Sequence, residues 1–364
     1  MIPSFDYLPE YRQLEEEIGG AVRRVFASGC LILGPEVEGF EQECAAYLGV
    51  PWAVGVNSGT DALVLALRAL EIAPGDEVIT VANAGVPPVA AIRAAGAFPR
   101  FVDVDPGALL MDPDGLEQAV TSRTRCVLPV HLYGNPAPLQ QITAFASRHG
   151  WPVVEDCAQA QGATYLGKRS GGMGDVGCFS FYPTKTLGAY GDGGMCVTGS
   201  AVLLERLRML RMYGFKNDRH AHCEGLNSRL DEVQAAILRV KLKYLDAALE
   251  ARREIARQYR EGLGGSTYRL LALTADGAHA FHLFVIQVPD RGRVIEGLKQ
   301  AGIGFGVHYP EPVHLMEAYR PLGYREGDLP VTEAACKGVL SLPIYPGLGS
   351  DQVEQVIRTL RALE

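Results

Sequence analysis

The chain of 364 residues lacks the features that mark several classes of protein. It has no run of basic residues and a formal net charge of −8, so we expect neither nucleic acid nor an anionic membrane as a partner. No apolar stretch approaches the roughly 18 residues of a membrane-spanning helix, and the acidic, mixed N-terminus does not look like a signal peptide. None of the eight cysteines forms a C-x-x-C pair, so we predict reduced thiols in a cytoplasmic protein.

The sequence also lacks the glycine-rich turns of the common nucleotide-binding folds. No G-x-G-x-x-G follows a predicted strand, which removes support for a dinucleotide-binding domain. The stretch Gly162–Lys168 resembles a Walker A loop, but Arg169 stands where Ser or Thr would bind Mg²⁺. An H-x-H-C stretch at 220–223 has the residue types of a metal site without a fourth ligand in view, so we predict no bound metal.

Short apolar runs instead alternate with helical patterns over the first two thirds of the chain. This alternation predicts right-handed βαβ units, and therefore an α/β domain with a mostly parallel, mixed sheet flanked by helices. The strands predicted over residues 178–181 and 194–197 are close enough in sequence for one of them to be antiparallel. We predict strands over residues 53–56, 77–81, 100–104, 126–131, 152–155, 178–181 and 194–197. We predict helices over residues 14–27, 36–48, 60–70, 88–95, 113–120, 139–149, 202–212, 229–245 and 248–263.

The pattern changes after Leu263. Gly264-Gly265-Ser266 is typical of a boundary between domains. Beyond it the sequence mixes both kinds of element, with strands predicted over 282–288 and 303–308 and helices over 294–301, 331–337 and 350–363. We therefore predict a large cofactor-binding domain over residues 1–263 and a smaller C-terminal α+β domain over residues 264–364.

Two polar residues stand out between Val153 and Gly194. Val153-Val154 predicts a buried strand that ends in Glu155 and Asp156, and open α/β sheets place ligand chemistry at the carboxyl ends of their strands. Successive strand side chains face opposite sides, so only one acid can point at a site. Lys185 lies among apolar and turn residues, where burial would lower its pKa and make it a nucleophile and base. A carboxylate for a ring nitrogen and a lysine for a Schiff base are the two polar requirements of pyridoxal phosphate.

A turn of small residues, Ser58-Gly59-Thr60-Asp61, lies between a predicted strand and a predicted helix. Backbone N–H groups at a helix N-terminus bind phosphate, but the same residues also fit a plain N-cap. In the same way, Asp156 also fits a capping acid and Lys185 a surface cation. The stretch from His308 to His314 suits either a sugar-nucleotide site or a loop of satisfied histidines. At this level the alternatives stay open.

Taken together, however, these residues resemble the nucleotide-sugar aminotransferases of the DegT/StrS-like family, which depend on pyridoxal phosphate and have the fold type I of aspartate aminotransferase. The resemblance covers nearly the whole chain as an ordered set of motifs. The motifs are Leu33–Val37, Ser58–Leu63, Val102–Asp105, Pro129–Gly134, Glu155–Ala160, Phe179–Lys185, Gly191–Gly194, Asn227–Ala236 and His308–Leu315.

The resemblance implies a role for each candidate residue. Lys185 would hold pyridoxal phosphate as a Schiff base and move the proton, and Asp156 would pair with the pyridinium nitrogen. Gln159 would lie at the ring face near the phenolic oxygen. The phosphate would be bound by Gly59, Thr60 and Ser180, with Asn227 supplied by the neighbouring subunit of a homodimer. The sugar-nucleotide cleft would be lined by Tyr182, His308, Tyr309 and His314.

The chain departs from the family at one place. After Asn83 the family usually carries an aromatic residue that stacks on the pyridine ring, whereas residues 84–88 read Ala-Gly-Val-Pro-Pro. We therefore expect either a flat apolar surface over the ring or an aromatic side chain from elsewhere. The family also contains dehydratases with histidine in place of the lysine, so Lys185 favours transamination.

The resemblance further implies a homodimeric enzyme that moves an amino group from glutamate to a nucleotide-linked keto-sugar, with pyridoxamine phosphate formed between the half-reactions. Residues 180–192 and 308–310 look most like those of enzymes that aminate carbon 3 of dTDP-3-keto-6-deoxyhexoses. The alternatives are carbon-4 amination of a 4-keto sugar nucleotide, an aminocyclitol-forming aminotransferase, a sugar dehydratase that uses pyridoxal phosphate, and a non-catalytic protein that binds the cofactor or a sugar nucleotide.

Overall fold

The computed structural model describes residues 1–216 and 218–364. Its α-helices are α1 (Leu8–Ser28), α2 (Pro35–Leu48), α3 (Gly59–Ala69), α4 (Val86–Ala94), α5 (Leu139–His149), α6 (Ala201–Leu210), α7 (Glu232–Leu242), α8 (Leu245–Gly262), α9 (Arg291–Gln300), α10 (Pro330–Gly338) and α11 (Ser350–Ala362). Its strands are β1 (Trp52–Val56), β2 (Glu77–Thr80), β3 (Phe98–Phe101), β4 (Thr124–Val127), β5 (Val154–Asp156), β6 (Thr164–Tyr165), β7 (Lys168–Arg169), β8 (Val176–Ser180), β9 (Gly194–Thr198), β10 (Arg269–Leu270), β11 (Gly277–Ala278), β12 (Phe284–Gln287) and β13 (Val339–Leu342).

A central sheet carries the larger part of the molecule. Its two halves, β3-β2-β4 and β5-β8-β9-β1, are joined by parallel bridges from Val127 to Val153 and from Val130 to Asp156. Only β9 runs antiparallel to its neighbours, because the short connection from β8 contains no crossover helix. The prediction of a mostly parallel sheet with an antiparallel member is confirmed.

Helices cover both faces of this sheet because its strands alternate apolar side chains toward each face. On β8, Cys178 packs in the core formed with α3, α4 and α5, whereas Phe179 packs in the core formed with α2 and α7. Helix α3 lies against β8 and β9 and is buried along most of its length. Its N-terminus is thereby fixed at the edge of the sheet where β5 and β8 end.

The smaller part is built on the antiparallel sheet β10-β12-β13, packed against α9 and α11. Its apolar core also contains side chains from the second half of α8, such as Ile255 and Tyr259, and Ile2 from the N-terminal segment. The backbone of Ile2 is bonded on both sides, donating to the carbonyl of Gly302 at 2.8 Å and accepting from the N–H of Gly304 at 2.7 Å. The predicted boundary after Leu263 follows the end of α8 directly, and residues on both sides of it share this core.

Two predicted elements are wrong. Residues 113–120 form two short 3-10 turns in place of an α-helix, and the glycine at 115, a poor helix former, lies in the first of them. Residues 303–308 make only isolated bridges, from Ile303 to Ile2 and from Gly306 to Ser341, because their alternating glycines weaken a strand. The strand β13, which completes the small sheet, was not predicted. Among the described residues, no helix is long and apolar enough to cross a membrane.

Candidate active site

The two acids at the end of β5 face opposite environments, as their neighbouring positions on a strand require. Asp156 is buried, and its Oδ1 accepts one hydrogen bond, from the N–H of Ala158 at 3.0 Å. Burial raises the pKa of Asp156, while that N–H, Lys185 and His131 act in the opposite direction. The carboxylate is therefore poorly satisfied by the protein alone and is suited to a charged N–H partner.

Glu155, by contrast, is fully engaged by the protein. Its carboxylate accepts hydrogen bonds from the backbone N–H groups of Gly171, Met173 and Gly174 at 2.5–2.7 Å and from His131 Nε2 at 3.0 Å. Burial acts to raise the pKa of Glu155, but the bonds from His131 and the two glycines outweigh burial and hold the pKa below its ordinary value. The hydrogen bonds of Glu155 thus leave Asp156, the acid that the resemblance favoured, as the carboxylate with unused bonding capacity.

His131, Glu155 and Cys157 place one potential metal-ligating atom each within 4.8 Å of one another. Hydrogen bonds account for this cluster: His131 Nδ1 accepts from the N–H of Ala137 at 2.8 Å, so its Nε2 carries the proton that it donates to Glu155. Burial also raises the pKa of the Cys157 thiol well above its ordinary value. The three side chains form a structural network behind the site.

Lys185 lies in the loop between β8 and β9, where its N–H donates to the carbonyl of Tyr182 at 2.8 Å. Burial lowers the pKa of the Lys185 ammonium from an ordinary 10.5 to about 8, against the opposing effect of Asp156. Among the described residues no carboxylate lies within ion-pair distance of Lys185. The side chain is therefore available as a neutral amine close to physiological pH, which is what Schiff-base chemistry needs.

The predicted phosphate-binding residues come together at the N-terminus of α3. The Ser58 hydroxyl accepts from the N–H of Asp61 at 3.1 Å, so Ser58 is the N-cap, and Gly59 and Thr60 begin the helix. Gly59 is in direct contact with Ser180, because a Cβ at position 59 would lie 2.5 Å from Ser180 Cβ. The N-cap and phosphate interpretations are thus compatible, since the cap leaves the first N–H groups of the helix facing the end of β8.

These three features fit a pyridine aldehyde that carries a phosphate. The helix N-terminus and the Ser180 hydroxyl offer donors for the phosphate, Lys185 offers an amine for the aldehyde, and Asp156 offers a carboxylate for the ring nitrogen. Gln159 joins the same group, because its Oε1 accepts from the N–H of Tyr133 at 2.6 Å and its Nε2 donates to Tyr309 Oη at 3.3 Å.

An aromatic ring from the C-terminal part of the chain packs against the aromatic-free stretch at 84–88. A Cβ at Gly85 would lie 2.9 Å from Tyr309 Cζ, so the ring of Tyr309 packs directly against this glycine. The sequence pointed to Tyr309 as part of a sugar cleft and gave no sign of this contact, since the two residues are far apart in the chain.

The remaining candidates are distributed around the site. Tyr182 is 53% exposed in the loop before Lys185. His308 Nδ1 is 2.8 Å from Ser341 Oγ, and burial together with the charge of Lys185 lowers the pKa of His308. Asn227 is exposed at the surface, next to a serine at 228 whose hydroxyl donates to Asp61 Oδ2 at 2.7 Å. This serine ties the segment that contains Asn227 to the phosphate-binding turn.

His314 requires a correction. Its ring is fully buried, its Nε2 lies 3.1 Å from Glu333 Oε1, and the rings of Phe101 and Tyr324 pack around it. These contacts are those of a core histidine, although its Nδ1 has no hydrogen-bond partner among the described residues, and His314 does not line the cavity that Thr184, His282 and His308 share.

His282, a buried imidazole that sequence reasoning missed, lies near the loop that carries Lys185. His282 is 7% exposed, its Nδ1 has no hydrogen-bond partner, and it lines a cavity of about 160 Å³ together with Thr184, His308 and Ser341. The only signal in the sequence was a histidine at the start of an apolar strand pattern, which equally fits a core residue.

A buried cation lies near this imidazole. Arg252 is 2% exposed, and its Nη1 donates to the carbonyls of Phe281 and Ile344 at 3.1 and 3.0 Å. Burial lowers the pKa of Arg252 to about 10, and the charge of Arg252 contributes to the lowered pKa of His282. No carboxylate of the described residues lies within ion-pair distance of Arg252, although the charge of Glu10 acts to raise the pKa of Arg252 against burial.

Comparisons with known proteins agree with this geometry. The model of the DegT/DnrJ/EryC1/StrS aminotransferase family matches residues 12–361. A dTDP-3-amino-3,4,6-trideoxy-alpha-D-glucose transaminase of Streptomyces venezuelae is 46% identical over 361 residues, which cover 99% of this chain and 95% of that protein.

Two solved structures extend the agreement to three dimensions. The crystal structure of S. venezuelae DesV in complex with a ketimine intermediate matches with a TM-score of 0.97 at 46% identity, over 99% of this chain and 98% of that one. NtdA of Bacillus subtilis, with the cofactor PMP bound, matches with a TM-score of 0.92 at 32% identity, over 100% of this chain and 86% of that one. The chain therefore belongs to the DegT/DnrJ/EryC1/StrS aminotransferase family, and its cofactor is pyridoxal 5'-phosphate.

Proposed function

We propose that this chain transfers an amino group from glutamate to carbon 3 of a dTDP-linked 3-keto-6-deoxyhexose. The observation that carries the proposal is that one site contains a lysine with a lowered pKa, Lys185, a buried carboxylate with unused bonding capacity, Asp156, and the helix N-terminus at Gly59. The S. venezuelae transaminase, whose name specifies a 3-amino dTDP-sugar, supports this choice of carbon and nucleotide.

The cofactor, when bound, would supply a carbonyl carbon that exchanges amino groups and a ring that withdraws electrons from the reacting carbon. Asp156 would keep the ring nitrogen protonated, since an anion there favours the charged form of its partner. Lys185 Nζ, with a pKa of about 8, would take a proton from the substrate carbon that carries the amino group. It would return a proton when the amino group passes to or from the cofactor. Gly59, Thr60 and Ser180 would hold the phosphate, and Gln159 would lie at the ring.

The cavity beside the site supports an amino donor with a small anionic group. Its volume of about 160 Å³ corresponds to about five water molecules, too little for a sugar nucleotide but enough for a carboxylate and its carbon chain. The imidazole of His282, the hydroxyl groups of Thr184 and Ser341 and the nearby charge of Arg252 offer donors and positive potential. We propose that it receives a carboxylate of glutamate.

A second copy of the chain completes the site in this proposal. The groove next to the Lys185 loop is apolar, has a volume of about 380 Å³ and is lined by Tyr7, Leu8, Tyr11, Pro183 and Tyr190. An open aromatic groove next to catalytic residues is suited to an interface between copies. The exposed Asn227 would then reach the phosphate of the neighbouring subunit. Light scattering should give twice the chain mass of 39.3 kDa; a monomer with full activity would contradict the homodimer.

The reaction itself is tested with purified holoenzyme and candidate ketones. We expect a yellow protein that loses its visible band when glutamate is added and recovers it with a dTDP-3-keto-6-deoxyhexose, with the amine identified by mass spectrometry. Lys185→Ala should abolish both spectral changes and turnover, and turnover in this variant would refute the assigned base. Amination of a 4-keto sugar nucleotide, or of a free inosose alone, would contradict the proposed substrate. Deoxygenation without amination would indicate a dehydratase. A lack of any response to glutamate would indicate a non-catalytic protein that binds the cofactor.

The donor site has its own matched pair of variants. His282→Phe removes the donor and keeps a ring; it should raise the KM for glutamate by about tenfold and leave the KM for the keto-sugar unchanged, because the loss of one charge-assisted hydrogen bond costs about 1.5 kcal/mol. His279→Phe is the control, since His279 is also a buried imidazole but stacks on Phe281 outside the cavity. Equal effects of the two variants on both substrates would contradict the donor site.

A further inference from the structure

Tyr309, from the C-terminal part of the chain, packs directly against Gly85, which precedes helix α4. We propose that the ring of Tyr309 covers the exposed face of the pyridoxal phosphate ring, and that Gly85 is the gap that admits it. The side chain would thus be a positioning residue for the cofactor, supplied by a different domain from Lys185, Asp156 and the phosphate-binding turn.

The contact between the two residues is close and specific. Three ring atoms of Tyr309 would lie within 2.9–3.1 Å of a Cβ at position 85. Any residue with a Cβ would therefore clash with the ring at this position. Gly85 also has a φ of +77°, a conformation that residues with a Cβ rarely adopt. Position 85 is therefore fitted to the Tyr309 ring both by the lack of a side chain and by its backbone.

Tyr309 is also held by its hydroxyl group, which Cζ carries beside Gly85. Its hydroxyl accepts a hydrogen bond from Gln159 Nε2 at 3.3 Å, and Gln159 belongs to the same segment as Asp156. Tyr133 fixes both partners, because its N–H donates to Gln159 Oε1 at 2.6 Å and its hydroxyl donates to the carbonyl of His308 at 2.5 Å. The hydroxyl end of the ring is therefore held between Gly85 and Gln159, a residue expected at the pyridine ring.

The chemistry of the cofactor explains why a ring is needed there. A flat pyridinium ring whose nitrogen pairs with Asp156 has two faces that the protein can cover. An aromatic side chain on one face would stack on this ring and interact favourably with its positive charge. Burial and the charge of Asp156 raise the pKa of Tyr309, which keeps the phenol neutral beside this acid. A neutral tyrosine is thus compatible with the electrostatics of the site.

The test measures cofactor binding to apoprotein, which does not depend on turnover. We expect Tyr309→Ala to weaken pyridoxal phosphate binding about tenfold, the equivalent of the ~1.4 kcal/mol at the upper end of aromatic stacking, and to change the circular dichroism of the visible band. Tyr309→Phe keeps the ring and loses the bond to Gln159, so its affinity should stay within about twofold of the wild type. Far-ultraviolet circular dichroism and Tm of each apoprotein verify folding.

Gly85→Ala supplies an independent arm that leaves Tyr309 in place. Its methyl group would meet the tyrosine ring, so the affinity should fall more in the wild-type background than in Tyr309→Ala, where only backbone strain remains. The proposal is overturned if Tyr309→Ala binds the cofactor as tightly as the wild type or more tightly, which would make the ring a plug. It is also overturned if Tyr309→Phe matches Tyr309→Ala, or if Gly85→Ala costs the same in both backgrounds.

Discussion

Glu155 and Asp156 are neighbours on one strand, are both buried and carry the same functional group, yet their surroundings differ completely. Four protein donors converge on Glu155, whereas a single backbone N–H reaches Asp156. A buried carboxylate with all its bonds made stabilises the fold, because desolvation is repaid within the protein. A buried carboxylate that still lacks hydrogen bonds is suited to bind a ligand. The number of hydrogen-bond donors around an acid therefore distinguishes a structural acid from a functional one better than its burial does.

The largest expected effect concerns the functional side of this pair. Asp156→Asn removes the charge that holds the ring nitrogen protonated, and we expect kcat to fall by about 10³-fold, as when a main electrostatic group is lost from an active site. The apoprotein should unfold at the same temperature or higher, because a poorly satisfied buried charge is gone. Steady-state kinetics and calorimetry measure the two quantities. A large loss of stability with nearly full activity would reverse the roles of the two acids.

The structural side should respond in the opposite way. Glu155→Gln places an NH₂ group against donors and removes the charge that they stabilise, so we expect the free energy of unfolding to drop by about 3 kcal/mol, at the low end for breaking a buried pair. Urea titration of the apoprotein measures this drop. Glu117→Gln is the control, because its exposed ion pair with Arg148 spans 3.7 Å and should contribute less than about 0.5 kcal/mol. A Glu155→Gln variant as stable as this control would contradict the structural role.

The smallest effect is a difference in pH dependence, which follows from the direction of each pKa shift. The pKa of Glu155 lies below its ordinary 4.5, so its stabilisation is present above pH 4.5 and is lost as the pH falls through the folded-state value. The pKa of Asp156 lies above its ordinary 3.8, so the folded state binds more protons and the apoprotein loses stability as the pH rises from 3.8 through the folded-state value.

Lys185 should make the stability of the apoprotein depend on pH in the alkaline range as well. Between about 8 and 10.5 the unfolded chain binds more protons at this lysine than the folded chain, so the free energy of unfolding should rise across that range. Lys185→Met should lack the rise, and Asp156→Asn should lack the loss above pH 3.8. Urea titrations of the apoproteins at a series of pH values test both, and parallel curves for wild type and variants would contradict the lowered pKa of Lys185 and the raised pKa of Asp156.

Sequence reasoning reached the fold and the main site because both are encoded locally. The alternation of strands and helices, the acid pair after Val153 and the isolated Lys185 are each visible within a few residues. What it missed depends on contacts between distant segments. The residues alone left Glu155 and Asp156 open until the resemblance favoured Asp156, because the donors that engage Glu155, such as His131, lie elsewhere in the chain. The burial of His314 needed Glu333, and the edge strand β13 is too short to show a period of its own.

Helix α8 gives the placement of Tyr309 a mechanical meaning. Its 18 residues span about 27 Å, and its first half packs in the core of the large sheet through Leu249 while its second half packs in the core of the small sheet through Tyr259. One helix thus contributes side chains to both cores. A movement of one core against the other would have to bend or shift α8, so the placement of Tyr309 against Gly85 is coupled to the packing of this helix.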